Sequence, residues 1–256
     1  MSKIGLQFFS VWKDAEKDFL GTFQKVAGLG YEGIQFAGFY NTPAKKVKRL
    51  LDEHEMAAAG AHVGIHQLLQ PGLENIFDYH QTIGNNLIIC PAIPKEMRET
   101  ADDYKRTAEL LNKIGEACKK AGFIFGYHNH DFEFEKFGDR TGHELLFGNT
   151  EPDLVKMELD CYWARFAEYD PIEIIRKYRD RVVSLHIKDM KIVNGKKAGT
   201  EVGKGIFDYA SIIKAANEYG VVWFTVEQEE FEGDPYESLA ENVDTLKHLL
   251  AEAAIK

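Results

Sequence analysis

Acidic and imidazole side chains stand near the carboxyl ends of four predicted strands in the second half of the chain. They are Glu133, Asp160, His186 and Glu227. The strands themselves are apolar, and a carboxylate buried in such a run is costly unless a partner compensates its charge. Three carboxylates and one imidazole that converge on one point can bind a divalent cation. The pattern therefore predicts a metal-dependent enzyme.

Three members of this set end consecutive predicted strands. Asp160 ends the strand before the one that carries His186, and Glu227 ends the strand after it. In a barrel, neighbouring parallel strands lie about 5 Å apart, so the three side chains are expected to meet. Singly, each has an ordinary interpretation: a helix cap, a core histidine or a surface acid.

The fourth ligand comes from the fifth predicted strand, which offers His128, His130, Glu133 and Glu135. Alternation places the two histidines on one face of the strand. After a bend, either glutamate could turn inward. Glu133 is the favoured ligand, with the other three as alternatives.

Several neighbours could contact a substrate. Glu158 shares a strand face with Asp160, where it could orient a metal ligand or a substrate hydroxyl, or pair with Arg165, Lys156 or Lys188. Aromatic residues near strand ends could pack on the C–H face of a sugar or simply fill the core. The candidates for substrate contacts are His62, His128, His130, Glu158, Trp163 and Lys188, and the weaker ones are Trp12, Phe36, Phe39 and His66.

Hard carboxylate ligands suit Mn²⁺ or Mg²⁺, whereas Zn²⁺ prefers sulfur and several histidines. Mn²⁺ is the first choice, with Mg²⁺, Co²⁺ and Zn²⁺ as alternatives.

The elements that must position these residues alternate along the whole chain. Amphipathic helical stretches separate eight short apolar runs, which begin near Ile4, Gly33, Ala57, Asn86, Ile124, Val155, Val182 and Trp223. Glycines stand where helices should end, at Gly28, Gly30, Gly122 and Gly220, and prolines where helices should begin, at Pro43 and Pro171. Eight strand-helix units predict a single (β/α)8 TIM barrel.

An open, doubly wound sheet would favour a glycine-rich loop after the first strand, and Gln7–Trp12 contains no glycine. No linker interrupts residues 1–256, which are expected to form one domain. We also expect the fifth strand to extend from Tyr127 to Phe137 before a turn at Gly138–Arg140. The segment Lys191–Gly205 is predicted to be a long polar loop, whose lysines could meet a phosphate.

Composition narrows the partners. The 256 residues carry 41 acidic and 31 basic side chains, a formal net charge of −10, which disfavours nucleic acid. The three cysteines form no Cys-x-x-Cys pair, as expected in a reducing compartment. Because no signal-peptide core or membrane-spanning apolar run is present, a cytoplasmic location is expected. Whether identical copies associate stays open.

Four stretches resemble the sugar phosphate isomerase/epimerase family of xylose-isomerase-like barrels. They are Gly126–Phe134, Glu158–Trp163 with Asp170-Pro171, Leu185–Asp189 and Val226–Gln228. The resemblance implies a divalent metal held by Glu133, Asp160, His186 and Glu227, with Glu133 and Glu227 also moving protons. The chain departs from the ketose 3-epimerases in two places: Tyr127–His130 replaces their first glutamate, and Trp163 replaces a histidine.

The expected activity is isomerisation or epimerisation of a keto-sugar or related polyol, free or phosphorylated. The metal would stabilise an enediolate, and Glu133 and Glu227 would act as base and acid from opposite sides. One alternative is a metal-dependent dehydratase or lyase acting on an inositol or 3-oxo-sugar derivative. A second alternative is a sugar-binding barrel without turnover.

Overall fold

Strands and helices alternate along residues 2–254, which are the part of the chain that the computed structural model describes. The strands are β1 (Lys3–Gln7), β2 (Gly33–Phe36), β3 (Ala57–His62), β4 (Leu87–Cys90), β5 (Ile124–His128), β6 (Lys136–Phe137), β7 (Arg140–Thr141), β8 (Lys156–Asp160), β9 (Val182–Ile187), β10 (Asp189–Val193), β11 (Lys196–Thr200) and β12 (Trp223–Val226). The α-helices are α1 (Trp12–Lys17), α2 (Phe19–Ala27), α3 (Ala44–Glu53), α4 (Ile65–Leu68), α5 (Leu73–Thr82), α6 (Ala101–Lys120), α7 (Gly142–Gly148), α8 (Cys161–Phe166), α9 (Pro171–Lys177), α10 (Tyr209–Glu218) and α11 (Pro235–Ala254). Short 3₁₀ helices span Phe8–Val11, Lys95–Met97 and Phe132–Phe134.

Eight parallel strands close into a barrel in the order β1-β12-β9-β8-β5-β4-β3-β2. Their first residues lie at or within one position of the eight predicted starts. The barrel strands β2, β4 and β12 are short and apolar, and nearly all of their residues are buried, as strands covered by helices on the outside require. The predicted TIM barrel is confirmed.

Helix boundaries follow the glycine and proline positions. Helix α2 ends at Ala27 with Gly28 as its C-cap, and α9 begins at Pro171 behind the capping side chain of Asp170. Gly122 and Gly220 have φ values of +86° and +74°, a left-handed conformation that glycine adopts without a steric penalty. Each stands two residues after a helix end and turns the chain toward the next strand.

The extended fifth strand was wrongly predicted. Strand β5 ends at His128, and the chain then curls into the 3₁₀ helix Phe132–Phe134. Glu133 stabilises the curl, because its carboxylate accepts hydrogen bonds from the Tyr127 hydroxyl and from the His130 backbone N–H. The predicted turn at Gly138–Arg140 does occur, between the short antiparallel strands β6 and β7.

The segment predicted as a long polar loop after the seventh barrel strand is largely a hairpin. Strands β10 and β11 pair antiparallel from Asp189↔Thr200 to Val193↔Lys196. Asn194 and Gly195 both have positive φ, which is the Asn-Gly hairpin turn. That dipeptide was the sequence signal for the hairpin. Among residues 2–254, no helix combines the length and apolar character that a membrane crossing needs.

Candidate functional site

The carboxyl ends of β8, β9 and β12 bring three of the predicted site residues together. Asp160 is in register with His186 on the neighbouring strand β9, and His186 is in register with Thr225 on β12, two residues before Glu227. Parallel strands leave these ends on one face of the barrel. The expected meeting of Asp160, His186 and Glu227 is therefore observed.

These three residues form, with His128 at the end of β5, a set that we call the metal-capable group. Each of the four offers one ligand atom, and these atoms all lie within 4.8 Å of one another. Nδ1 of His186 lies 2.9 Å from Oε2 of Glu227 and 3.9 Å from Oδ2 of Asp160, while Nε2 of His128 lies 3.8 Å from the same Oδ2. All four residues are buried.

Asp160 is held rigidly, yet one of its oxygens is free of hydrogen bonds. Its Oδ1 accepts a hydrogen bond from the Trp163 backbone N–H and so caps α8. The Asn129 side chain accepts from the Asp160 backbone N–H and donates to the Asp160 backbone carbonyl. Within the described residues, the buried Oδ2 atom has no hydrogen-bond partner. Burial raises the pKa of Asp160 to about 7. A bound cation is one partner that could satisfy this oxygen.

His186 and Glu227 influence each other's protonation. Burial disfavours the charged imidazole, but attraction to Glu158 and Glu227 outweighs it and raises the pKa of His186 well above its ordinary value. Burial likewise opposes ionisation of Glu227, yet its attraction to His186 lowers the pKa of that carboxyl to about 2. Nδ1 of His186, which faces Oε2 of Glu227, is therefore a position at which a proton and a divalent cation would compete.

Glu133, the favoured fourth ligand, does not join the other three. It belongs to no set of metal-capable side chains among the described residues, and its carboxylate is fully buried against Tyr127 and the His130 backbone. Burial raises the pKa of Glu133 to about 8. Its exposed neighbour Glu135 follows the 3₁₀ helix. In place of Glu133, the structure presents His128, one of the fifth-strand alternatives.

A second buried set overlaps the first. His62, His128, Glu158 and His186 also place their ligand atoms within 4.8 Å of one another. Oε1 of Glu158 lies 2.7 Å from His62, 3.0 Å from His186 and 3.3 Å from His128. Glu158 therefore contacts three histidines, and none of the basic partners considered from sequence.

Two buried glutamines complete this network and were missed in the sequence. Nε2 of Gln35 donates to Oε2 of Glu158 at 2.5 Å, and Nε2 of Gln7 donates to Oε1 of Gln35 at 2.6 Å. Both have no exposed surface. Their signal was present, because the first two strands repeat one pattern, Gly5-Leu6-Gln7-Phe8 and Gly33-Ile34-Gln35-Phe36, with a polar side chain inside an apolar run.

Lys188 is buried near the group and is already paired. Its Nζ lies 2.6 Å from Oε2 of Glu229 and 4.3 Å from the ring centre of Tyr162, with Trp163 at 5.5 Å. Trp163 also packs against His130, with 5.8 Å between ring centres. Lys188 and Trp163, which were predicted to contact substrate, therefore lie beside the site. Lys188 forms an ion pair with Glu229, and the ring of Trp163 packs near its ammonium group.

A cavity of about 390 Å³ opens on this face of the barrel. His62, His128, His130 and Glu227 line it, as do Phe9, Pro91, Ala92 and Glu229. Phe9 supplies the aromatic surface that was expected of Trp12, Phe36 and Phe39, none of which lines this cavity. Phe36 is a core residue, and His66 is exposed on α4.

The residues present fit a divalent cation. The metal-capable group combines two carboxylates with two imidazoles, and it includes the orphaned Oδ2 of Asp160. A site with two imidazoles and two carboxylates suits Zn²⁺ or Co²⁺ better than a site with one imidazole and three carboxylates. The expected preference for Mn²⁺ thus loses part of its basis, because His128 stands where a third carboxylate was predicted.

Comparison with known proteins agrees with this architecture. An inosose dehydratase from Clostridium tetani is 27% identical, and the match covers 84% of this chain and 84% of that protein. A sugar phosphate isomerase/epimerase from Parabacteroides distasonis has a TM-score of 0.79 and 26% identity, covering 99% of this chain and 96% of its own. The IOLI protein with a binding zinc atom shares the fold, with a TM-score of 0.75, 11% identity and coverage of 98% and 99%.

The family comparison matches most of the chain. Residues 23–249 match the model of the xylose isomerase-like TIM barrel. This range contains β2 to β12 and every member of the metal-capable group. The chain therefore belongs to the xylose isomerase-like TIM barrel family.

Proposed function

We propose that this protein is a divalent-metal-dependent dehydratase of an uncharged keto-polyol. It removes a proton from the carbon beside a carbonyl and then expels a neighbouring hydroxyl as water. The observation that carries the proposal is the position of Glu227, which belongs to the metal-capable group and also lines the cavity. Glu133, the second glutamate of an epimerase-type pair, lies outside both.

The metal-holding residues in this proposal are His128, Asp160, His186 and Glu227. A divalent ion there supplies Lewis-acid stabilisation of the negative charge that develops on the carbonyl oxygen, an effect worth several kcal/mol. The family neighbour with a bound zinc atom supports a metal in this fold. The orphaned Oδ2 of Asp160 supports it in this chain.

Glu227 is the proposed base. Its carboxyl is ionised at neutral pH, since its pKa is lowered to about 2, and it faces the cavity. One carboxylate is sufficient when the proton and the hydroxyl leave from the same side of the substrate. Glu227 then accepts the proton from carbon and returns it to the departing hydroxyl, which leaves as water while a carbon–carbon double bond forms.

Epimerisation needs a second proton donor on the opposite side of the substrate. The other carboxylate that lines the cavity is Glu229, and its Oε2 is engaged by the ammonium group of Lys188 at 2.6 Å. The proposal therefore favours elimination over the isomerase class expected from sequence. The inosose dehydratases among the relatives support this assignment.

The substrate is proposed to be uncharged. Among the described residues, the cavity lining contains no lysine or arginine. Of the four lysines considered for phosphate, which include Lys196, three are engaged elsewhere: Lys191 with Glu232, Lys204 with Glu241, and Lys197 with the Phe166 carbonyl. Away from the proposed metal, a phosphate would meet the carboxylates of Glu227 and Glu229 and no lysine or arginine of the described lining, which is electrostatically unfavourable.

Isomerisation or epimerisation of a keto-sugar is the second candidate. The solved sugar phosphate isomerase/epimerase at 26% identity favours it. Both candidates begin with the same proton abstraction, so they differ only in the fate of the resulting enediolate.

Proton NMR in D₂O separates these possibilities. The protein is loaded with Zn²⁺, Co²⁺ or Mn²⁺ and given an inosose or a panel of keto-sugars, free and phosphorylated. Loss of a carbinol signal with formation of an enol or its diketone tautomer supports the dehydratase. Deuterium uptake without loss of a hydroxyl would assign the epimerase. No exchange with any substrate would leave a sugar-binding barrel and overturn the proposal.

A further inference from the structure

Glu158 is the centre of the buried network beneath the metal-capable group. Its carboxylate has no exposed surface. Oε1 faces one nitrogen each of His62, His186 and His128, and Oε2 faces the amide of Gln35. Three imidazole nitrogens therefore share Oε1 while the Gln35 amide occupies Oε2, so both carboxylate oxygens accept hydrogen bonds.

The orientation of the two glutamines is set by this carboxylate. Gln35 must present its NH₂ to Glu158, because an ionised carboxylate only accepts, and its Oε1 then points to His186. Gln7 donates from its NH₂ to Oε1 of Gln35, while its own Oε1 accepts the Phe9 backbone N–H. The same NH₂ lies 3.2 Å from Nδ1 of His62, which leaves Nε2 of His62 as the donor to Glu158.

The same reasoning identifies the proton-bearing nitrogen of His186. Nε2 lies 2.6 Å from Oε1 of Gln35 and 3.0 Å from Oε1 of Glu158. Both are acceptors, so Nε2 must carry the proton. Nδ1 faces Glu227 and Asp160 on the other side of the ring.

His128 is arranged like His186, except that its Nδ1 faces Glu158 and its Nε2 faces Asp160. Its Nδ1 lies 3.3 Å from Oε1 of Glu158, and its Nε2 lies 3.8 Å from Oδ2 of Asp160. Each of the two imidazoles therefore turns one nitrogen to Glu158 and the other to the carboxylates of the metal-capable group.

We propose that Glu158, with Gln7 and Gln35 behind it, is a positioning residue that fixes the tautomers of His128 and His186. With Nδ1–H of His128 and Nε2–H of His186 held by Glu158, the lone pairs of His128 Nε2 and His186 Nδ1 point at the ion. This inference rests on the metal-binding part of the proposed function. It is independent of whether the enzyme eliminates water or epimerises its substrate.

The set of His62, His128, Glu158 and His186 is accordingly a hydrogen-bonded support and not a second metal site. The distances of 2.7, 3.0 and 3.3 Å from Oε1 of Glu158 to the three imidazoles fall within or close to the hydrogen-bond range. Partners of this kind set the orientation and basicity of metal-bound histidines.

The direct test is ¹⁵N NMR of the imidazoles in the full chain loaded with diamagnetic Zn²⁺. We expect protons on Nδ1 of His128 and Nε2 of His186, and one zinc ion per chain by elemental analysis. The reverse tautomer at either histidine would overturn the inference. So would two zinc ions per chain that fall to one in Glu158→Gln.

Variants test the energetic consequence. Gln35→Met nearly keeps the volume of the side chain and removes its contacts with Glu158, His186 and Gln7. We expect the Kd of this variant for Zn²⁺ to rise about 10–100-fold, and that of Glu158→Gln to rise by a similar factor. The matched control is Ser184→Ala, on the same strand as His186, since the buried Ser184 hydroxyl has no partner among the described residues. If Glu158→Gln does not fold, Gln35→Met decides.

The outcomes separate this inference from the proposed function. Unchanged zinc affinity in Gln35→Met would overturn the positioning role and leave the metal-dependent reaction intact. A wild-type chain that binds no zinc, cobalt or manganese would overturn both. Zinc binding without turnover would remove only the proposed reaction.

Discussion

Nδ1 of His186 lies 2.9 Å from Oε2 of Glu227, across the neighbouring strands β9 and β12. Attraction to Glu158 and Glu227 raises the pKa of this imidazole despite its burial, which favours a proton on Nδ1 in the metal-free chain. A metal ligand must be deprotonated. Proton and metal therefore compete for the same nitrogen.

This competition predicts proton release when zinc binds. Binding should release a proton from His186, whose pKa is raised by Glu158 and Glu227, and a second one as the pH falls through the pKa of Asp160, which burial raises to about 7. Affinity should therefore decrease with falling pH, and more steeply below pH 7. Isothermal titration calorimetry in buffers of different ionisation enthalpy measures the proton count. A count near zero throughout would exclude His186 as a ligand.

Glu227→Gln removes the proposed base while keeping its size. We expect deuterium exchange at the substrate carbon to fall by about 10²–10⁴-fold, the usual contribution of a positioned proton-transfer group. The matched control is Glu229→Gln, since Glu229 also lines the cavity but has no assigned role in proton transfer. NMR in D₂O at saturating metal measures both. Equal losses in the two variants would argue for a general charge effect.

Glu133→Gln tests whether the metal ligand from the fifth strand is Glu133, as predicted from sequence, or His128, as the structure indicates. Because Glu133 lies outside the metal-capable group, the variant should bind Zn²⁺ with nearly wild-type affinity, whereas Asp160→Asn should not. Titration of zinc with a competing chelator measures both. Loss of zinc binding in Glu133→Gln without unfolding would restore Glu133 as a ligand.

The burial of Glu133 should also affect how the free energy of unfolding depends on pH. Its pKa is raised to about 8 in the folded chain, against about 4.3 when unfolded. The folded state therefore binds this proton more tightly, and this group's contribution to the free energy of unfolding decreases as the pH rises from about 4 to 8. Glu133→Gln lacks this dependence. Its free energy of unfolding, measured with urea, should therefore be higher relative to wild type at pH 8.5 than at pH 6.

For His80 we expect the free energy of unfolding to change with pH in the opposite direction, and at acid pH. Burial lowers its pKa to about 4, against about 6.5 when unfolded. The unfolded chain therefore takes up this proton first, and stability is lost as the pH falls from about 6.5 to 4. His80→Phe should remove about 2 kcal/mol of the loss between pH 7.5 and 5. Urea unfolding measures it, with His66→Gln at an exposed histidine as the control.

Much of the fold could be predicted because its signals are local. Apolar runs, helix-ending glycines and the prolines at helix starts located the eight barrel strands, and the chain order of a parallel barrel then placed Asp160, His186 and Glu227 on one face. These inferences need only side-chain periodicity and the right-handed crossover. The Asn194-Gly195 turn was an equally local signal, and it was overlooked.

The remaining features depended on contacts between distant residues. Glu133 curls away from the barrel end because Tyr127 and the His130 backbone bind its carboxylate, and strand alternation does not encode that choice. Glu158 meets Gln35 across 123 positions, and His186 meets Gln35 across 151. By itself, the sequence determined which strands end in chemically active side chains. Only barrel closure decided which of those side chains share one buried point, because that depends on the register of strands far apart in the chain.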